Sequence, residues 1–234
     1  MKTETTSGDG IDIAYDQLGE RPRALLLHAG GERRQVWHPV MRYLDEQGIS
    51  SVTCDQRGHG DSGGSRADGI VAYGADTARL VAHFGNCPVI VGASLGGFAA
   101  MLALVHEHVQ SNLAGLVLVD VVPDPDPLRV RAYLSGEGRQ ELGRSPLVDD
   151  ILSRDVQMLT AVASLYIPVL LVRSGREAAI TDEEVARLSL LVPQLQTAII
   201  PDAGHLIARD APLALASLIA DFLRSGSVMA RYAG

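Results

Sequence analysis

Several stretches of this chain are apolar without alternation, among them ALLLHAG (residues 24–30), PVIVGAS (88–94), LAGLVLVD (113–120) and IPVLLVR (167–173). A strand with one face in water alternates apolar and polar residues, so runs of this kind require cover on both faces. Between them lie segments of helical period such as GGFAAMLALVHEHV, DEEVARLSLLV and PLALASLIADFLRSG, the last stopped by Gly226. Strand-like and helix-like segments in alternation imply crossover helices and a mostly parallel sheet. Adding IDIAYDQL near the start, SVTCDQ (51–56) and LQTAIIPD (195–202), the expectation is seven strands in an α/β class, a mostly parallel central sheet flanked by helices.

With 47% apolar and 21% charged residues, the 234-residue chain has material for a continuous core and too little charge for disorder. No Pro/Ser-rich linker divides it, so residues 1–234 are expected to form a single domain. One segment breaks the rhythm. Residues 121–166 place two crossover lengths between adjacent strands and change in composition, which reads as a short lid insertion with a helix near 128–134 and another within 147–165. Tyr133, Leu134, Met158, Leu159 and Val162 are its candidate substrate-facing residues.

A net charge of −8 argues against a phosphate-backbone partner, and no nucleic acid is expected. MKTETTSGDG lacks an apolar signal region and no run approaches a membrane span, so a cytoplasmic location and no membrane partner are expected. Cys54 and Cys87 are too few for a disulfide framework. His106 and His108 sit two apart, on different faces of a helix, and no metal site is expected.

The most specific chemical signal is VGASLGGF, in which Gly92-Ala93-Ser94-Leu95-Gly96 matches G-x-S-x-G between an apolar strand and an apolar helix. In that context the serine occupies a strained strand-to-helix turn, and the glycines let the two backbones pass closely. Ser94 would project into the site, and the Leu95 backbone N–H at the helix start would face a developing oxyanion. A serine needs a base, and His205 in IIPDAGHLIARDAP lies between the last apolar strand and the last helix.

With these residues in place, the chain resembles the α/β-hydrolase fold superfamily over residues 10–223. His28-Ala29-Gly30-Gly31 resembles its HG-type oxyanion loop, with Ala29 for the usual glycine; the match implies that Gly30 supplies the second oxyanion N–H and that His28 belongs to this loop. Asp55-Gln56-Arg57-Gly58-His59-Gly60-Asp61-Ser62 matches a D-x-R-G-x-G-x-S turn that is mostly structural in such proteins, and Ala203-Gly204-His205 matches the histidine loop. Haloalkane dehalogenases and epoxide hydrolases of this fold use an aspartate at the elbow, whereas position 94 is a serine, which implies acyl transfer to Ser94.

Two carboxylates compete for the third position. Aligning Ser174 with the glycine of the family's G-x-x-D loop puts Glu177 on the acid position, and this register is preferred; a register one residue later offers Ala178, which cannot serve. Asp120, ending the strand after the nucleophile helix, is the alternative, although an aspartate there could equally cap the turn that follows. Arg33 and Arg34, just past the oxyanion loop, read as solvated, and Trp37 as the anchor of the next helix.

The expected activity is a cofactor-independent serine hydrolase acting on an ester, thioester or related acyl bond of a small molecule. Lyase, C–C cleaving or acyl-transfer chemistry at the same serine is the alternative within enzymes, and a non-catalytic binding protein with a degenerate triad is the alternative outside them. A homodimer is compatible with the sequence.

Overall fold

The computed structural model describes residues 1–8, 10–85, 88–135, 142–176 and 179–232. Its strands are β1 (Lys2–Gly8), β2 (Ile11–Leu18), β3 (Ala24–Leu27), β4 (Ser51–Cys54), β5 (Val89–Ala93), β6 (Gly115–Val119), β7 (Val169–Ser174) and β8 (Leu195–Ile200). They form one sheet in the order β1-β2-β4-β3-β5-β6-β7-β8. β1 and β2 pair antiparallel, β2 meets β4 antiparallel, and every pairing from β4 to β8 is parallel.

The helices are α1 (His38–Glu46), α2 (Ile70–Phe84), α3 (Leu95–Ala103), α4 (Glu107–Asn112), α5 (Pro127–Leu134), α6 (Pro146–Leu152), α7 (Asp155–Ala163), α8 (Asp182–Leu191), α9 (Ile207–Asp210), α10 (Pro212–Arg224) and α11 (Gly226–Tyr232). The unbroken apolar strands are explained by where their side chains go. Leu25, Leu27, Ile90, Leu116, Leu118 and Leu171 join α2, α3 and α7 in one core, while Leu26, Val89, Val91, Val117, Val119 and Val172 join α1 and α10 in another. Successive residues of a strand point to opposite faces, so the two cores lie on the two sides of the sheet.

β1 adds an eighth strand to the seven read from the sequence. Its residues, KTETTSG, carry no apolar alternation because it is an edge strand held by polar contacts: Thr3 Oγ1 donates to Asp16 at 2.7 Å, and the Tyr15 hydroxyl donates to Glu4 at 2.6 Å. Between β6 and β7 the expected second helix is two, α6 and α7, broken at Ser153 and Arg154. Met158 and Val162 of α7 are fully buried in the core that contains α3, so they do not face substrate; Leu159 packs against the same core. Among the described residues, no helix is long and apolar enough to cross a membrane.

Candidate active site

The chain turns abruptly from strand to helix at Ser94. Its φ of 47° and ψ of −111° place a non-glycine residue in a conformation that L-residues rarely adopt, between the end of β5 and the first turn of α3. Close approach makes this possible: a Cβ on Gly92 would lie 2.5 Å from the Gly96 carbonyl oxygen, and one on Gly96 would collide with the Leu27 carbonyl. The Gly97 and Phe98 N–H groups then donate to the Ser94 carbonyl at 2.9 and 3.1 Å, starting the helix.

Asp120 follows β6 and is also left-handed, with φ 52°. Its N–H continues the sheet by donating to the Val172 carbonyl at 2.8 Å, and its carboxylate is buried. Oδ1 accepts from the Ser174 N–H at 2.8 Å; Oδ2 accepts from the Ser174 hydroxyl at 2.9 Å and pairs with His205 Nδ1 at 2.8 Å. Both Asp120 oxygens therefore have hydrogen-bond partners, which fixes the carboxylate's orientation toward the imidazole. With Nδ1–H directed at the carboxylate, the free nitrogen of the His205 ring is Nε2, the tautomer a general base needs. Glu177, the other candidate acid, lies outside the described residues; among the described residues the carboxylate bonded to His205 is Asp120. Sequence reasoning used Ser174 only as an alignment mark and missed that its N–H and hydroxyl hold Asp120.

The loop after β3 carries Gly30, which lines the same cavity as Ser94, Leu95, Asp120 and His205. Among the described residues neither the Gly30 nor the Leu95 N–H has a hydrogen-bond partner. His28 is a correction to the expected oxyanion set. It is fully buried and off the cavity wall, its Nδ1 bonded to the Ala29 carbonyl at 2.8 Å and its Nε2 accepting from the Gln56 N–H at 3.0 Å. Burial holds its pKa down to about 4, so it is a neutral brace beneath the loop.

Arg34 is also not the solvated residue expected. It is buried, bonded to Asp55 and, at 2.8 Å, to Asp61, with its Nε 3.1 Å from Asp16. Asp55 accepts the Arg34 N–H at 2.7 Å and the Asp61 N–H at 2.9 Å, which ties the loop after β3 to the turn after β4. Arg33 is exposed and Trp37 is fully buried ahead of α1.

The cavity measures about 840 Å³, a size that accommodates a small organic ligand. Its wall is mainly apolar, with Phe98, Val122, Leu147 and Ile151 among the lining residues. Tyr133 and Leu134 of α5 line it as expected, and the Tyr133 ring meets His205 edge-on, with centroids 4.7 Å apart. Among the described residues no cluster of His, Cys, Asp or Glu could hold a metal ion.

A family profile described as "alpha/beta hydrolase fold" matches residues 22–143. A non-heme haloperoxidase of Rhodococcus erythropolis is 31% identical over 135 residues, covering 57% of this chain and 48% of that protein. An esterase of Mycobacterium tuberculosis is 26% identical, covering 86% of this chain and 82% of the relative. The chain thus spans about half of the first relative and most of the second. In fold it is similar to a thermophilic esterase from Thermogutta terrifontis, with a TM-score of 0.72, 23% identity and coverage of 96% of this chain and 98% of that one.

Proposed function

The chain belongs to the α/β hydrolase fold family, and on that premise we propose that it is a cofactor-independent serine hydrolase cleaving an ester or thioester of a small molecule through an acyl-serine intermediate. The observation that carries this reading is the 2.8 Å contact between Asp120 and His205 Nδ1 on the wall of the cavity that Ser94 also lines. The names of the relatives, two of them esterases, support the same bond class.

In this mechanism His205 Nε2 takes the Ser94 proton as Oγ attacks the carbonyl carbon, and Asp120 stabilises the imidazolium that forms. The carbonyl oxygen becomes an oxyanion, received by the Gly30 and Leu95 N–H groups, which have no competing partner to release. Collapse expels the alcohol or thiol, which takes the proton back from His205. Water, deprotonated by the same imidazole, then attacks the acyl-serine and frees the acid. α5 and α6, which line the cavity, serve as its lid, and Tyr133 of α5 borders the base.

Product analysis of a 4-nitrophenyl ester turned over in water and in water with an added alcohol tests this directly. Hydrolysis predicts the free acid as the main product in both; an acyl ester of the added alcohol as the main product would assign the site to acyl transfer instead.

A further inference from the structure

The mainly apolar cavity wall carries few charges, and among the described residues all but one are spoken for. Asp120 and His205 engage each other, and His59 is held below its usual pKa by burial while its Nδ1 meets the Arg57 carbonyl and its Nε2 accepts from the Gly31 N–H. Arg129 pairs with Glu184 at 3.1 Å and donates to the Ala179 carbonyl at 3.0 Å. Arg66 differs. Its Nε donates to the Gly58 carbonyl at 3.1 Å, and its backbone sits so close to Gly58 that a Cβ there would collide with it.

The root of Arg66 is therefore fixed, while among the described residues its guanidinium has no carboxylate within ion-pair distance. The nearby acids are committed elsewhere: Asp68 to Arg57 and the Ser65 N–H, Asp61 to Arg34. In a chain of net charge −8, that leaves an exposed cation with no ion-pair partner among the described residues on the wall of a mainly apolar pocket. A guanidinium whose terminal nitrogens are unused is a fork matched to a carboxylate.

We propose that the substrate is an ester bearing a carboxylate separated from the scissile carbonyl by an apolar spacer, and that Arg66 binds that carboxylate. The apolar wall, with Phe98, Leu147 and Ile151, takes the spacer. This inference rests on the acyl-serine reading above and names the substrate class for that site.

Two matched ester pairs test it. In the first, 4-nitrophenyl hexanoate is compared with the mono-4-nitrophenyl ester of adipic acid, which places the carboxylate on the acyl side. In the second, phenyl butyrate is compared with 4-(butyryloxy)benzoate, which places it on the alcohol side. In Arg66→Gln, kcat/KM for the carboxylated member of at least one pair falls about tenfold or more, through KM, as expected for losing a charge-assisted bond. The neutral member stays within about twofold and Arg66→Lys is intermediate. Equal effects on charged and neutral members of both pairs, or none on any, overturn the assignment of Arg66. Failure of the wild-type protein to hydrolyse even the neutral esters would instead strike at the acyl-serine reading.

Discussion

Replacing Asp120 with asparagine changes one oxygen to an amide nitrogen at a site where every position is accounted for. Oδ1 receives the Ser174 N–H, a backbone donor that cannot reverse, so the amide oxygen must stay there. The amide nitrogen then occupies the Oδ2 position, facing the Ser174 hydroxyl and His205 Nδ1. The hydroxyl can rotate to accept, but the imidazole can accept only by moving its proton to Nε2, where it can no longer take the proton of Ser94. An equivalent amide substitution in a well-studied triad costs about 10⁴ in kcat, or about 5 kcal/mol at about 1.36 kcal/mol per tenfold. The backbone should tolerate the change, since asparagine is among the residues that best accept the left-handed φ of 52° found here. Steady-state kcat on a 4-nitrophenyl ester, with circular dichroism to confirm folding, measures the effect. Glu177→Gln is the control and should retain kcat within about threefold, far from the loss that removal of a triad acid produces. An Asp120→Asn enzyme that keeps kcat within tenfold of wild type, or a Glu177→Gln enzyme that loses a thousandfold, would refute the assignment of Asp120.

Gly96→Ala pushes a methyl group into the Leu27 carbonyl and should cost about 1–3 kcal/mol or more, whereas the nearest atoms to a Cβ on Gly30 lie at 3.7 and 3.8 Å, so Gly30→Ala should leave the thermal midpoint nearly unchanged. Equal shifts would contradict the packing argument. His28, held at about 4 when folded against 6.5 when unfolded, lets the unfolded chain bind a proton first as pH falls. Its contribution is complete above pH about 6.5 and is lost between about 6.5 and 4, up to about 3 kcal/mol, so urea midpoints of His28→Gln should depend less on pH over that window than wild type; parallel profiles would refute this. The buried Glu184 carboxylate accepts from Thr181 N–H, Asp126 N–H and Arg129, joining the start of α8 to α5. Glu184→Ala should lower stability by about 2–4 kcal/mol in urea titration and raise KM by loosening α5; a variant with unchanged midpoint and KM would show that α5 is held by other contacts.

What the sequence disclosed, it disclosed through local pattern. The non-alternating strands identify themselves because both faces are covered, and Ser94 is marked by glycines whose role, close backbone approach, depends only on immediate neighbours. His205 is placed by its position between β8 and the helices that follow. The carboxylate was harder to read because β6 and β7 are adjacent parallel strands, so Asp120 and Glu177 both follow strand ends at the same edge of the sheet. Spacing cannot separate Asp120 from Glu177; the left-handed turn at Asp120 and the two donors of Ser174 bring Asp120 onto His205, and both are tertiary facts. Arg34 looked solvated because its partners come from β2 and from the turn after β4. β1 escaped notice because an edge strand stabilised by Thr, Glu and Lys side chains carries no apolar signature, although the Asp9-Gly10 pair ahead of IDIAYDQL is a hairpin signal in its own right.

The central claim is that Ser94 is a nucleophile activated by His205. Intact-mass analysis after treatment with a fluorophosphonate tests it without any knowledge of the natural substrate. The account predicts one adduct per chain, carried by the peptide containing Ser94, absent from Ser94→Ala and formed far more slowly in His205→Ala. A folded protein that takes up no probe at neutral pH, or an adduct that survives Ser94→Ala, would contradict it.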